Sequence, residues 1–96
     1  MNPMTSARAA TVLRDALENG VKNNRVRPIA ISIALTKACI ASTDDRVSRL
    51  ISHRSACILE YLSRNERLII IFDSNVRRAF VEGIAALERL SQLDEV

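Results

Sequence analysis

Apolar residues recur every three or four positions along most of this chain, which is the spacing of amphipathic helices. The most regular example lies near the C-terminus, where one face is formed by Val76, Phe80, Ile84, Leu87 and Leu90. The preceding Asp-Ser-Asn at residues 73–75 offers side-chain oxygens that cap helix N-termini. We therefore predict a turn and cap there, followed by a last helix.

A first helix is predicted near the N-terminus. It can be capped by Thr5 or Ser6, and its apolar face consists of Val12, Leu13, Ala16 and Leu17. Gly20 is expected just past its last turn, where glycine favours the left-handed conformation. Residues 22–27 then carry three positive charges, on Lys22, Arg25 and Arg27, and no acidic residue. We predict a basic loop for this stretch.

The segment from Ile29 to about Ala41 allows two interpretations. Pro28 suits the first turn of a helix, and the residues after it are apolar nearly all round, as in a buried helix. From Ile29 to Thr36, however, large and small residues alternate with a period of two, which is typical of a strand. A strand followed by two helices would match the ribbon-helix-helix class of DNA-binding proteins. Its outward positions would be Ala, Ser, Ala and Thr, which read base edges poorly, so we favour the helix.

A long amphipathic helix is predicted in the middle of the chain, after a capping sequence at residues 42–45. Its apolar side contains Val47, Leu50, Ile51, Ile58, Tyr61 and Leu62. Arg54 and Asn65 fall inside this apolar arc. Each is expected either to lie at the edge of a dimer seam or to extend outward to water. Residues 63–66 match a capping box, so the helix either continues through Ser63 or ends near Leu62 and restarts at Arg64.

The apolar run at residues 68–72 is interpreted as a helix end, because no second convincing strand is available to pair with it. The predicted fold is therefore all-α, a small bundle of about four helices with one long central helix, in a single domain spanning residues 1–96. A chain of 96 residues has a marginal core, which favours a homodimer. Core or dimer packing is assigned to Ile51, Arg54, Ile58, Leu62, Phe80, Ile84 and Leu87.

Basic residues are concentrated around the predicted central helix. Residues 1–50 hold eight basic and four acidic side chains, whereas residues 51–96 hold six and seven. On one continuous helix, an arc of roughly 60° would contain five of the basic side chains over a length of about 31 Å. These five are Arg46, Arg49, His53, Arg64 and Arg67, with Glu60 as the one acidic residue among them. We call this set the arginine stripe.

Catalytic or metal chemistry finds little support in the sequence. Cys39 and Cys57 form no CxxC pair, and His53 is the only histidine. Both cysteines lie among apolar residues and are expected to be buried, reduced thiols. No phosphate-binding glycine loop, nucleophile elbow or zinc-protease motif occurs. We expect no enzyme activity, no cofactor and no metal.

A membrane location is not expected either. The longest apolar stretch, residues 29–41, contains Ser32, Thr36 and Lys37 and is too short to span a bilayer. The first 24 residues lack the continuous apolar segment of a signal peptide. The sequence therefore predicts a cytoplasmic protein in a reducing compartment.

Binding of double-stranded RNA or DNA is the function that this pattern favours. Arginine grips phosphate with a planar fork, and a row of arginines contacts the backbone with little sequence preference. The predicted nucleic-acid-binding residues are the stripe together with Lys22, Arg25 and Arg27. Two alternatives stay open: a helical adaptor or antagonist that binds an acidic partner protein, and a ribbon-helix-helix or helix-turn-helix regulator.

Overall fold

The computed structural model describes residues 5–28, 50–65 and 69–94. Within these ranges lie three helices, α1 (Ser6–Asn23), α2 (His53–Arg64) and α3 (Ser74–Asp94). Two short strands, β1 (Arg25–Val26) and β2 (Ile70–Ile71), are also present. Helices account for 78% of the described residues, so the prediction of a mainly helical protein is confirmed. The interpretations of residues 29–41 as a helix or a strand lie outside the described residues, and so does most of the helix-turn-helix considered at residues 37–52.

Helix α1 begins where the sequence predicted but ends one turn later. The Thr5 hydroxyl accepts a hydrogen bond from the Arg8 amide at 3.2 Å, so Thr5 is the N-cap. Leu13 and Ala16 are buried on the predicted apolar face. The helix runs through Gly20 to Asn23, and Asn24 ends it with the left-handed φ of 56°. The prediction that Gly20 stops the helix is therefore wrong.

Gly20 is needed for packing rather than for a turn. It is buried, and a Cβ atom added to it would lie 2.7 Å from Cδ2 and 2.9 Å from Cε2 of Phe72. These separations are shorter than carbon atoms tolerate without movement of the ring. Phe72 in turn packs on Phe80 of α3, with ring centroids 5.9 Å apart. The small residue thus lets an aromatic ring lie directly on the helix.

The two strands form a short antiparallel ribbon that the sequence did not predict. Arg25 is opposite Ile71, and Val26 is opposite Ile70. The Phe72 amide also donates to the Asn24 carbonyl at 3.2 Å. Ile70 and Ile71 are therefore strand residues, so the helical interpretation of residues 68–72 is wrong for the part that the structure describes. Part of the predicted basic loop is strand β1.

Helix α3 is the central packing element of the described residues, because it contacts both α1 and α2. The Asp73 Oδ1 atom accepts from the Val76 amide at 2.9 Å, which confirms the predicted cap. The predicted apolar face of the helix is buried at Val76, Phe80, Ile84, Leu87 and Leu90. Leu13 of α1 and Leu59 of α2 are fully buried with it. One core therefore joins the three helices.

Helix α2 begins at a cap that is fixed from α3. The Ser52 hydroxyl accepts from the Ser55 amide at 3.2 Å, and Ser52 has an extended backbone with φ −68° and ψ 150°. The Ser52 amide and hydroxyl both donate to Oε2 of Glu82, at 2.9 and 2.8 Å. A carboxylate at a helix N-terminus also interacts favourably with the helix dipole. We call this arrangement the Ser52–Glu82 clamp.

The other end of α2 lies just past Ser63. The Ser63 hydroxyl donates to the Glu60 carbonyl at 2.7 Å, so Ser63 is a helix-interior residue and not the start of a new helix. The Asn65 amide donates to the Leu62 carbonyl at 3.3 Å, and its side chain donates to the Tyr61 carbonyl at 2.6 Å. These bonds end the helix at Asn65. A restart of the helix at Arg64 is therefore wrong.

Among the described residues, no helix combines the length and the apolar character that crossing a membrane requires.

Replacing Gly20 with alanine should destabilise the protein, although alanine is the better helix former. Overpacking in a core costs about 1–3 kcal/mol, and the gain in helix propensity offsets about 1 kcal/mol of this. We expect a lower urea midpoint for Gly20→Ala, and a slightly higher one for the control Asn19→Ala on the exposed side of the same turn. The double variant Gly20→Ala/Phe72→Leu should lose less free energy of unfolding than the sum of the losses in the two single variants. A midpoint for Gly20→Ala equal to or above that of the wild type would contradict the packing.

The Ser52–Glu82 clamp should make stability depend on pH. Hydrogen bonds lower the pKa of Glu82 from its ordinary value of 4.5. The largest effect comes from the Ser52 amide, followed by the hydroxyls of Ser55 and Ser52. Partial burial raises the pKa, and the positive charge of Arg78 lowers it a little further. A lowered folded pKa stabilises the fold above pH 4.5, and this stability is lost as the pH falls through the folded value.

Urea unfolding of the wild type and Glu82→Gln between acidic and neutral pH measures this effect. The variant should be less stable by about 1 kcal/mol at neutral pH. The difference should shrink as the solution is acidified below the ordinary carboxyl pKa. Glu18→Gln removes an exposed carboxylate from α1 and should leave the profile unchanged. A constant difference between wild type and Glu82→Gln at every pH would refute the clamp.

Candidate nucleic-acid interface

The arginine stripe does not lie on one continuous helix. Leu50 is in a turn, Ile51 bends into the core with 7% exposure, and Ser52 is extended, so α2 starts only at His53. At the other end, α2 finishes at Arg64. The prediction of one long central helix is therefore wrong at its start, and of the two alternatives at its C-terminal end the structure shows a helix that ends, at Arg64. The physical reason is the Ser52–Glu82 clamp, together with the burial of Ile51, which turns the chain before α2.

Two members of the stripe lie on α2. His53 and Arg64 are both exposed, as predicted. They are eleven positions apart, a distance of about 16 Å along a helix. The Arg64 guanidinium forms an ion pair with Glu60 one turn earlier, which offsets part of its charge. Arg46, Arg49 and Arg67 lie outside the described residues and stay predictions.

A stronger concentration of positive charge lies at the ribbon. Arg25 and Arg27 flank the buried Val26, and both are exposed. Arg27 directly follows β1, and because Val26 between the two arginines is buried while both arginines are exposed, the two guanidinium groups lie on the solvent side of the ribbon. Lys22 is exposed in the last turn of α1. The left-handed Asn24 connects α1 to β1, so Lys22 precedes the two arginines by three and five positions across this turn.

Isoleucines complete the same face of the ribbon. Ile71 is paired with Arg25 and is 71% exposed, and Ile69, two positions earlier, is 57% exposed. We call the side formed by Arg25, Arg27, Ile69 and Ile71 the ribbon face. It combines two positive charges with two large apolar side chains in contact with solvent. Such a combination makes the ribbon face a candidate binding surface.

A cleft of about 420 Å³ opens between the ribbon face and α1. Its lining residues are Ala16, Asn19, Asn23, Arg25, Val26, Arg27 and Ile69. Asn19 and Asn23 are one turn apart on α1, so their amides lie on the same side of the helix. Amide groups both donate and accept hydrogen bonds, and guanidinium groups only donate. The cleft can therefore hold an anionic group and hydrogen-bond an adjoining polar group.

Positive charge extends from this end of α1 to α3. Asn24 and Gly20 also line a smaller hollow, of about 280 Å³, whose rim includes Arg77 of α3. Arg77 is exposed. The region where α1 meets the ribbon thus has cations from α1, β1 and α3. Asp73, at the same hollow, is held in its capping bond to Val76.

Cys57 differs from the prediction of a buried thiol. It is exposed, and its Sγ atom lies 3.5 Å from Nε2 of His53, one helical turn earlier. The reason is rotational position, because Leu59 and Leu62 point into the core while Cys57 lies on the opposite flank of the short helix. Cys39 lies outside the described residues. No cluster of three or more His, Cys, Asp or Glu side chains suited to a metal occurs among the residues described.

The residues assigned to core or dimer packing differ in burial. The fully or nearly buried members are Ile51, Leu62, Phe80, Ile84 and Leu87. Ile58 is half-buried against the core, whereas Arg54 is exposed. Arg54 is therefore not a core residue, because a guanidinium extends to water where its stem meets an apolar surface.

Sequence reasoning missed Asn19, Asn23, Ile69 and Ile71 as site residues. A signal for the ribbon was present in the alternation of Arg25, Val26 and Arg27, which is the pattern of a half-buried strand. It was too short to be distinguished from a loop. The isoleucines belonged to an apolar run without polar residues, so the sequence did not show which of them face outward.

The chain matches no known protein family, no curated protein and no solved structure.

Proposed function

We propose that this chain binds double-stranded nucleic acid, mainly through phosphate contacts and with little sequence specificity. The observation that carries the proposal is the placement of Arg25 and Arg27 on one exposed face, next to the cleft that both arginines line. Alternate strand residues are about 6.6 Å apart. Two guanidinium groups at this spacing can reach neighbouring phosphates of one strand.

The remaining cations widen this contact. Lys22 comes from the last turn of α1 and Arg77 from the start of α3, so the ribbon is flanked by charge on two sides. Main-chain rigidity helps, since both strands are paired and Asn24 is hydrogen-bonded to Phe72. Arg46, Arg49 and Arg67 are retained in the proposal as further phosphate contacts on the evidence of the sequence. We also propose that the binding form is a homodimer, which doubles the number of cations.

Salt-dependent retardation of duplex RNA and duplex DNA tests the proposal. Each phosphate contact contributes about 0.9 to the slope of log affinity against log salt on DNA. Arg25→Gln/Arg27→Gln should lower the slope by about 2 per protomer and weaken binding at least about tenfold at 50 mM salt. The control Arg8→Gln/Arg89→Gln removes the same charge from two exposed positions on α1 and α3. It should change binding much less.

Two outcomes would overturn the proposal. One is the absence of any duplex binding by the wild type near 50 mM salt. The other is an equal loss of affinity in the ribbon variant and in its control, which would mean that net charge alone attracts the nucleic acid.

A second candidate is the binding of an acidic partner protein by the same surface. The observation that favours it is the exposure of Ile69 and Ile71 beside the arginines, since apolar side chains contribute little to phosphate contacts. Ile69→Ser/Ile71→Ser separates the two functions. This change should leave most duplex affinity in place, whereas a protein interface that buries the isoleucines would lose its affinity.

A further inference from the structure

A second surface lies on the opposite side of strand β2 from the ribbon face. It is a groove of about 400 Å³ between α2 and the start of α3. Its lining residues are Arg54, Cys57, Ile58, Tyr61, Leu62, Ile70, Asp73, Asn75 and Val76. Ile70 lines this groove, and Ile69 lines the cleft. Because neighbouring strand residues point to opposite sides, Ile70 extends away from the ribbon face.

The wall formed by α2 is an amphipathic stripe. Arg54, Ile58 and Tyr61 follow one another at helical spacing and line the same groove. Ile58 is half-buried, and Tyr61 is 59% exposed. Tyrosine with an exposed ring is a typical anchor of protein interfaces. This wall therefore offers apolar area that water covers in the single chain.

Charge distinguishes this groove from the ribbon face. The ribbon face has only positive charges, so two copies placed face to face would repel each other. The groove has both signs, with Arg54 on α2 and Asp73 at the start of α3, and both residues are exposed. The cap to Val76 engages Oδ1 of Asp73, and a carboxylate has a second oxygen that accepts from a guanidinium. A twofold axis requires such a self-complementary surface.

We propose that the groove is the homodimer interface, occupied by α2 of a second copy of this chain. The two α2 helices pack antiparallel around a twofold axis, with Ile58 and Tyr61 at the centre. Arg54 of each copy then lies against Asp73 of the other. This arrangement leaves both ribbon faces open to solvent. It deepens the proposed function, because the dimer is the form proposed to bind nucleic acid.

The arrangement also brings two copies of Cys57 close together. Cys57 is exposed in the groove, and it lies near the middle of α2, where the two helices would cross. A short bis-maleimide should therefore link two chains through Cys57. The reaction is run on Cys39→Ala, so that only one thiol per chain is present, and Cys39→Ala/Cys57→Ser is the blank.

Sedimentation velocity of the full chain over a range of concentrations tests the interface. The wild type should be dimeric at about 100 µM, and Tyr61→Glu should raise the dimer Kd at least about 30-fold. Val81→Glu changes a residue of α3 that is 50% exposed and should leave the dimer unaffected.

Arg54→Glu should also weaken the dimer, and Asp73→Asn, which retains a capping oxygen, should weaken it less. The double variant Arg54→Gln/Asp73→Asn should lose less dimerisation free energy than the sum of the losses in the two single variants.

Several results would overturn the interface. One is a wild type that stays monomeric at about 100 µM. Another is a Tyr61→Glu variant that dimerises like the wild type while the control Val81→Glu dissociates. Absence of Cys57 cross-links in a dimeric sample would place the second copy elsewhere. Circular dichroism is measured alongside, and Tyr61→Glu is expected to keep the helical spectrum of the wild type. Duplex binding is measured separately: a dimer that binds no duplex refutes the proposed function and leaves the interface standing.

Discussion

The arrangement of the described helices depends on one carboxylate. Glu82, on α3, accepts both the amide and the hydroxyl of Ser52 and so holds the first turn of α2. Hydrogen bonds to a charged group are stronger than neutral ones, and solvent screens part of this gain because the clamp lies at the surface. Because this contact fixes where α2 begins, it also determines which residues α2 turns inward, namely Leu59 and Leu62, and which it leaves on the groove.

The position of α2 and the pairing of β1 with β2 together give the molecule two different surfaces. On one side of β2, arginines and isoleucines form a face with positive charge only. On the other side, a groove with both signs of charge and an exposed tyrosine runs along α2. The first suits an anionic partner and the second suits another copy of the chain. Neighbouring side chains of β2 point to opposite sides and so separate the ribbon face from the groove. A dimer formed through the groove would therefore leave the arginines uncovered.

Features set by local sequence were predictable, and features set by distant contacts were not. Thr5 and Asp73 cap helices through residues three positions away, and the apolar face of α3 follows from its period. Gly20, in contrast, is interpretable only once Phe72 is known to lie on it. The start of α2 depends on a residue 30 positions further along the chain. Strands of two residues leave no periodic pattern long enough to recognise, which is why Arg25 and Arg27 looked like part of a loop.

The chain has an extended backbone at Ser52, so α2 is a separate short helix. Backbone carbon chemical shifts of the folded protein measure this directly, residue by residue. We expect extended-type shifts at Ser52 and helical shifts from His53 to Arg64, ending at Asn65. Uninterrupted helical shifts from Arg46 through Arg67 would contradict it and would restore a single long arginine stripe.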